Sequence, residues 1–232
     1  MKTLIIVPAY NESESLGKVV NNLNTECPGT DYVIINDGSS DDTVSLCEKN
    51  GWNYLNLPVN LGLAGAFQTG MKFGYENGYD AVLQFDGDGQ HDAACAKKLI
   101  ARMEETNCDI LIGSRFVECK KPSTMRMFGS RLISFAINLT TGKKLSDPTS
   151  GMRLYNKDMV DMYANNLNFG PEPDTIAYLI RNGANVEEIQ VVMHEREAGQ
   201  SYLTTMKSMR YMVNMFISIL LVQFFRKKRA SK

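Results

Sequence analysis

The stretch "AVLQFDGDGQHDAACAKKLIARMEE" (81–105) decides the fold class, because it reads as a strand, an acidic loop and a helix in succession. Residues 81–85 are almost entirely apolar, which is typical of a strand covered on both faces. Residues 93–105 carry apolar side chains at helical spacing. The loop between them holds three aspartates and two glycines. A strand–loop–helix unit of this kind is typical of an α/β protein.

The same unit repeats through the first half of the chain. Short apolar runs that alternate with helical patterns predict a mainly parallel sheet with helices on both faces. Ligands of such sheets bind beyond the carboxyl ends of the strands. A polar cluster follows each of the first four predicted strands: "PAYNES", "NDGSSDD", "PVNLG" and "DGDGQHD". The predicted strands are 3–7, 32–36, 54–58, 81–85 and 110–114, and the predicted helices are 14–24, 42–50, 64–76, 93–105 and 128–140.

Composition narrows the class of protein. The chain has 232 residues, 44% of them hydrophobic, so it can bury a sizeable core. Lys plus Arg is 25 and Asp plus Glu is 26, which does not indicate a nucleic-acid partner. The five cysteines are scattered without C-x-x-C spacing, which favours a reducing, cytosolic setting over disulfides or a zinc site. The first apolar run, "LIIV", is too short for a signal peptide and is expected to be a strand.

No linker or internal repeat divides the chain, so we expect one catalytic domain over residues 1–203 and a C-terminal segment over 204–232. Residues 204–225 predict one helix with Lys207, Arg210, Asn214 and Ser218 on one face. Its least polar part is shorter than the roughly 20 apolar residues that cross a bilayer. The tail "RKKRASK" adds basic charge, so we predict an amphipathic helix lying at the membrane interface. Packing on the core or on a second subunit, as a homo-oligomer, is the alternative.

Asp86 and Asp88 lie two positions apart where a strand ends. Like charges so close repel unless a cation lies between them, and a hard divalent ion with oxygen ligands fits. A calcium-binding EF-hand is excluded, because its twelfth position needs Glu and is Lys97 here. A phosphatase of the haloacid-dehalogenase type, with Asp86 as nucleophile, expects Thr at Gln90 and the motif on the first strand, and it stays a weaker alternative. An acidic turn with no ligand also stays open.

The first strand is not followed by the G-x-G-x-x-G of dinucleotide-binding proteins. A bound pyrophosphate would therefore need a metal ion and cationic side chains to neutralise it. Seven motifs occur in a fixed order: "VPAYNE", "INDGSSDDT", "NLGLAGA", "QFDGDGQHD", "GSRF", "SDPTSGMRLY" and "REAGQSY". In this order, over about residues 3–205, the chain resembles family-2 glycosyltransferases with the Rossmann-like GT-A fold. More narrowly, it is similar to the dolichol-phosphate mannose synthase-like branch, which glycosylates polyprenyl phosphates.

The resemblance implies a role for each matching residue. The nucleotide-sugar site would be lined by Pro8, Ala9, Tyr10, Glu12, Asp37, Asp86, Gly87 and Asp88. Asp86, Asp88 and Gln90 would hold Mg²⁺ or Mn²⁺ against the diphosphate. The acceptor phosphate would be bound by Arg115, Arg126, Arg131 and Ser134. Arg196 would close over the diphosphate, whereas Leu63 and Tyr202 stand where many relatives have lysine.

The implied reaction is an inverting, metal-dependent transfer of one sugar from a UDP- or GDP-sugar to a polyprenyl phosphate. The carrier is expected to be undecaprenyl phosphate, and the protein to be peripheral at the cytoplasmic face of the membrane, with a small transmembrane partner protein. The product would serve cell-envelope glycan synthesis or protein glycosylation. Asp88, Asp174 and Arg196 are the expected catalytic residues.

Two alternatives concern the acceptor and the class of protein. A transferase that extends a glycan hydroxyl would need a general base, and Asp174 of "PEPDT" is the candidate. A lipid phosphate is already ionised and needs no base. A non-catalytic module recruited to membranes would not need Asp86 or Asp88.

Overall fold

The computed structural model describes residues 1–166, 169–194 and 205–222, with side chains at all of these positions except 125–126, 205–209 and 222. One sheet contains β1 (Thr3–Ala9), β2 (Asp31–Asn36), β3 (Tyr54–Asn56), β4 (Ala81–Gln84), β5 (Ile110–Ser114), β6 (Arg153–Asn156) and β7 (Val186–Gln190). The helices are α1 (Leu16–Glu26), α2 (Thr43–Asn50), α3 (Gly62–Glu76), α4 (Ala93–Thr106), α5 (Met125–Thr141), α6 (Lys157–Asn165), α7 (Pro173–Arg181) and α8 (Thr205–Ile217). A π-helical turn, Ser218–Val222, continues α8.

The strand order is β3-β2-β1-β4-β6-β5-β7. The β1–β2, β2–β3, β1–β4 and β5–β7 pairs are parallel, whereas β6 is antiparallel to both of its neighbours. The predicted α/β fold with a mainly parallel sheet is therefore confirmed. Because β1 lies between β2 and β4, the loops that follow these three strands meet at one edge of the sheet.

Both faces of the sheet are covered, as the apolar strands predict. Leu4 and Ile6 of β1 point into a core that includes buried residues of α3, α5, α6 and α7. Ile5 and Val7 alternate to the other face, where α1 and α4 complete a second core. The site edge is therefore carried on a rigid, doubly covered sheet.

The C-terminal helix is present as far as the described residues extend. Arg210 and Asn214 are exposed, as the predicted polar face requires. Ser218 departs from that face, because its Oγ donates a hydrogen bond to Asp174 Oδ2 at 2.6 Å. Along the described ranges, no helix combines the length and the apolar composition that crossing a bilayer requires.

Candidate active site

The loops after β1, β2 and β4 contact one another at the carboxyl edge of the sheet. Ser15 Oγ donates to the Gly87 carbonyl at 2.7 Å, and a Cβ at Gly87 would lie 3.0 Å from the Pro8 carbonyl oxygen. The Asp37 N–H donates to the Ala9 carbonyl at 2.9 Å. The structure thus brings together Pro8, Ala9, Asp37 and Gly87, four of the residues predicted for the nucleotide-sugar site.

Within this edge, local hydrogen bonds shape the predicted nucleotide pocket. Glu12 Oε2 accepts from Ser15 Oγ at 2.9 Å. Asp37 is almost fully buried, and its Oδ1 accepts from the Leu61 N–H at 2.7 Å. Tyr10 is 38% exposed, so its ring is available for a planar ligand.

Asn11 is a residue in this pocket to which the motifs assigned no role. It has a positive φ of 56°, and its Oδ1 accepts from the Ser40 N–H at 2.8 Å. Its own N–H donates to Ser39 Oγ at 2.9 Å. Asn11 therefore ties the loop after β1 to the loop after β2. The sequence signal for it was the tolerance of asparagine for left-handed backbone.

The acidic loop after β4 makes a tight turn. Asp88 Oδ1 accepts from the Gln90 N–H at 3.0 Å across Gly89, whose φ is +76°. The Asp86 carboxylate packs directly on the Cα of Gly151, where a Cβ would overlap it. The segment 146–152 is thereby brought against the first aspartate of the pair.

The donor set of this loop fits a hard divalent cation. Among the side chains that the structure describes, no three of His, Cys, Asp or Glu converge as a ready-made cluster. Asp86 and Asp88 offer two carboxylates, and Gln90 offers an amide oxygen. Mg²⁺ is commonly held in this way, with substrate phosphates and water completing its shell. The Asp86 side chain is 32% exposed, so an ion can reach it.

The structure describes the side chains of three residues that were predicted to bind the acceptor phosphate: Arg115, Arg131 and Ser134. The structure pairs Arg115 with buried Asp147, at 2.6 Å from Nε to Oδ2 and 2.9 Å from Nη2 to Oδ1. The charge of Arg115 is therefore balanced by a residue that lies far from it in the sequence. Arg131 Nη2 donates to the Lys121 carbonyl at 2.7 Å and so supports the segment before α5.

Lys121 is the cation that sequence reasoning missed. Its Nζ donates to Ser130 Oγ at 2.9 Å and to Ser134 Oγ at 3.2 Å, both on α5. Burial lowers the pKa of Lys121, and this effect is partly offset by the negative charges of Asp147 and Glu188. Nothing in the local sequence distinguishes Lys121 from Lys120, so only the fold identifies it.

Asp174 is buried in the first turn of α7 and lines a cavity of about 430 Å³. Glu172, Gln68 and Tyr211 also line this cavity, and burial raises the pKa of Tyr211 above its usual range. The fully buried Arg153 links this region to segment 146–152, through hydrogen bonds to the carbonyls of Ser150 (2.9 Å), Pro148 (2.7 Å) and Pro171. The Arg126 side chain and Arg196 lie outside the described residues.

Comparison with known proteins places this geometry in a family. Residues 4–163 match glycosyl transferase family 2. The undecaprenyl-phosphate mannosyltransferase of Micrococcus luteus is 30% identical over 217 residues, which cover 88% of this chain and 88% of that protein. The polyprenol monophosphomannose synthase of Mycolicibacterium smegmatis is 26% identical over 216 residues, with 88% and 81% covered.

Solved structures share the fold. Glucosyl-3-phosphoglycerate synthase from Mycobacterium tuberculosis, in complex with Mn²⁺, UDP and phosphoglyceric acid, matches with a TM-score of 0.69 at 15% identity, over 96% of this chain and 78% of that one. A mannosyltransferase from Pyrobaculum calidifontis, in complex with GDP-Man and Mn²⁺, matches with a TM-score of 0.67 at 15% identity, over 99% and 66%. The family match and the relatives together show that this chain belongs to glycosyl transferase family 2 and is a glycosyltransferase.

Proposed function

We propose that this glycosyltransferase moves one sugar, with inversion, from a UDP- or GDP-sugar to a polyprenyl phosphate, and that undecaprenyl phosphate is the carrier. The observation that carries the proposal is the position of Lys121. Its ammonium group is half-buried between the hydroxyls of Ser130 and Ser134, beside the Arg115–Asp147 pair. A phosphate monoester is a natural ligand for such a group, because it can accept hydrogen bonds from the lysine and from the hydroxyl of Ser134. The names of the relatives agree with this acceptor.

The nucleotide end of the site lies at the loops after β1, β2 and β4. Asp37 and Tyr10 would bind the base, and Asp86, Asp88 and Gln90 would hold Mg²⁺ or Mn²⁺. When bound, the metal ion would supply charge stabilisation to the leaving diphosphate. Arg196 is proposed to add positive charge there as well.

The acceptor end of the site requires positioning rather than proton removal. A lipid phosphate is ionised at neutral pH, so its oxygen can attack without a general base. Lys121, Ser134 and Arg115 would fix its orientation, and alignment of the reactants can supply several kcal/mol. Asp174 then has no proton to remove from the acceptor.

An exposed apolar face lies on α8 and on α5, the helix that also carries Ser134. On α5 it consists of Phe128, Leu132, Phe135 and Leu139, which are spaced four, three and four residues apart. On α8 and the π-helical turn it consists of Val213, Ile217 and Leu221, each four residues apart. Each set therefore lies on one side of its helix. The two helices pack together where Gly129 approaches Met212. Neither helix contains Asp or Glu, so the face suits an anionic lipid surface. We call these residues the apolar face: Phe128, Leu132, Phe135, Leu139, Val213, Ile217 and Leu221.

We propose that the apolar face rests in the headgroup region of the cytoplasmic leaflet, so that the polyprenyl chain stays in the bilayer while its phosphate reaches Lys121. From the sequence we also propose a small transmembrane partner protein and, as an alternative, a homo-oligomer. Affinity purification of the tagged protein from its native membranes, followed by mass spectrometry, tests both.

The function is tested by incubating the protein with undecaprenyl phosphate, Mn²⁺ and radiolabelled GDP-mannose, UDP-glucose or UDP-N-acetylglucosamine. Solvent extraction should recover label in lipid with at least one donor, and Asp88→Ala should abolish that signal. Label that appears only in water-soluble glycan would favour a hydroxyl acceptor instead. The cavity at Asp174 is the observation that keeps this second function under consideration.

A further inference from the structure

Two buried side chains flank the carboxylate of Asp86. Gln84, the last residue of β4, is fully buried, and its Nε2 donates to Asp86 Oδ1 at 3.3 Å. His91, 3% exposed, lies on the other side, with Nε2 at 3.5 Å from Asp86 Oδ2. Each oxygen of the carboxylate therefore faces one nitrogen that is removed from solvent.

The surroundings of His91 fix which ring nitrogen carries the proton. Its Nδ1 accepts a hydrogen bond from the Asp86 backbone N–H at 3.1 Å, so Nδ1 is unprotonated. The proton of the neutral ring is therefore on Nε2, which faces the carboxylate. This buried nitrogen has no hydrogen-bond partner among the described residues. A movement of a few tenths of an ångström by Asp86 would give it one.

The ring is also held in place independently of the carboxylate. It makes an edge contact with Phe85, with the ring centroids 5.2 Å apart. The backbone of His91 pairs with Met193 in an isolated β-bridge. A shift of Asp86 would therefore be made relative to a fixed imidazole.

We propose that Gln84 and His91 are positioning residues, which orient the Asp86 carboxylate for the divalent metal ion. The inference rests on the proposed function, because it takes Asp86 as a metal ligand. Carboxylates that bind metals are themselves commonly hydrogen-bonded, and loss of such a partner costs about 10- to 100-fold in metal affinity or activity. Neither residue would contact the sugar or the diphosphate.

Two substitutions at His91 separate positioning from a purely structural role. In His91→Gln, the amide nitrogen reaches the position of Nε2 and keeps the donor to Asp86. In His91→Asn, the shorter amide can replace Nδ1 as acceptor for the backbone N–H but cannot reach the carboxylate. Mn²⁺ affinity is measured from the electron paramagnetic resonance signal of free Mn²⁺, in the presence of UDP or GDP, whichever the wild-type protein binds.

We expect His91→Gln to bind Mn²⁺ about as tightly as the wild type and His91→Asn to bind about tenfold more weakly. The apparent KM for Mn²⁺ of His91→Asn should rise in parallel, with kcat restored by excess metal. Gln84→Met, which keeps the side-chain length but removes the amide donor, should also bind about tenfold more weakly. Thr3→Val, which removes a buried hydroxyl at the amino end of β1, is the control and should leave Mn²⁺ affinity unchanged.

Equal Mn²⁺ affinities in the two His91 variants, or tighter binding by His91→Asn, would overturn the role of His91. Wild-type Mn²⁺ affinity in Gln84→Met would overturn the role of Gln84. If His91→Asn fails to fold, wild-type affinity in Gln84→Met overturns the proposal that buried neighbours orient Asp86. A wild-type protein that binds no Mn²⁺ with either nucleotide would instead contradict the metal function of Asp86 itself. The two failures are therefore distinguishable.

Discussion

At the scale of single residues, Gly151 controls how closely Asp86 can approach segment 146–152. A Cβ at this position would overlap the Asp86 carboxylate, which must then turn away. We predict that Gly151→Ala lowers Mn²⁺ affinity about tenfold. The free energy of unfolding should change by less than about 1 kcal/mol, because only the end of a flexible side chain has to move.

Mn²⁺ titration and thermal unfolding of the variant measure the two effects. Gly17→Ala is the matched control, since its nearest neighbour beyond the helix backbone is Trp52, 3.8 Å from the added carbon. That variant should bind Mn²⁺ as the wild type does. Unchanged Mn²⁺ affinity in Gly151→Ala would show that Asp86 does not need its present orientation.

The proposed role of Lys121 predicts that binding of the acceptor depends on pH. Burial lowers its pKa below the usual 10.5, so the ammonium loses its proton at a lower pH than an exposed lysine does. A neutral amine binds phosphate weakly, so the KM for polyprenyl phosphate should rise as the pH approaches 10.5 from below. Lys121→Arg should lack this rise, because a guanidinium stays protonated throughout the range.

Initial rates at several acceptor concentrations and pH values measure this effect. Lys121→Met should raise the acceptor KM at neutral pH by about tenfold, whereas Lys120→Met, one residue away, should leave it unchanged. If the acceptor KM of Lys121→Arg rises at alkaline pH as that of the wild type does, the pH dependence belongs to another group.

The residues that the sequence identified and those it missed differ in the range of their contacts. Asp86 and Asp88 stand in one short acidic run, so their joint chemistry is visible without a fold. The partner of Arg115 lies 32 positions away, and Lys121 finds its serines only once α5 has formed. Gln84 looked like one residue of a buried strand. Pair contacts across the fold, which local patterns do not encode, make these residues functional candidates.

At the scale of secondary structure, the apolar face is the surface that we propose to contact lipid. Burying a phenylalanine or leucine side chain contributes about 1.5–3 kcal/mol, so each loss should be measurable. We predict that Phe135→Ser and Leu221→Ser each lower binding to vesicles of anionic phospholipid about tenfold or more. Both residues are more than half exposed, so the fold should be retained.

Vesicle sedimentation measures this binding. Tyr75→Ser, which changes an exposed aromatic residue of α3 outside the apolar face, should bind as the wild type does. Activity toward a short, water-soluble polyprenyl phosphate should survive in all three variants. If Phe135→Ser and Leu221→Ser bind vesicles as the wild type does, the apolar face is not the membrane contact.

Strands were easier to predict where they are buried and parallel. The first five appear as apolar runs, and their predicted ends differ from the structure by a few residues at most. The sixth, β6, has no such run, because Arg153 is buried in it by hydrogen bonds to three carbonyls. A charged residue paired in this way is predicted as surface by any local pattern. The π-helical turn that directs Ser218 toward Asp174 is likewise a product of packing.

At the scale of the whole molecule, the question is whether the acceptor is a lipid phosphate or a glycan hydroxyl. Arg153 connects segment 146–152, which touches Asp86, to Pro171, just before the helix that carries Asp174. Arg153 therefore connects the surroundings of Asp86 to those of Asp174 through the backbone. Transfer to a phosphate leaves Asp174 with no proton to accept, whereas transfer to a hydroxyl requires it.

Asp174→Asn therefore discriminates between the acceptors. Asparagine keeps an oxygen that can accept from Ser218 Oγ, so the packing of α7 on the C-terminal helix should persist. With a phosphate acceptor, kcat should fall less than about tenfold, whereas loss of a general base costs about 10²- to 10⁴-fold. Asp88→Asn is the reference and should lose at least about 10²-fold with either acceptor, because it weakens charge stabilisation of the leaving group. A collapse of lipid-linked product in Asp174→Asn, at unchanged thermal stability, would contradict the proposal that the phosphate acceptor reacts without help from Asp174.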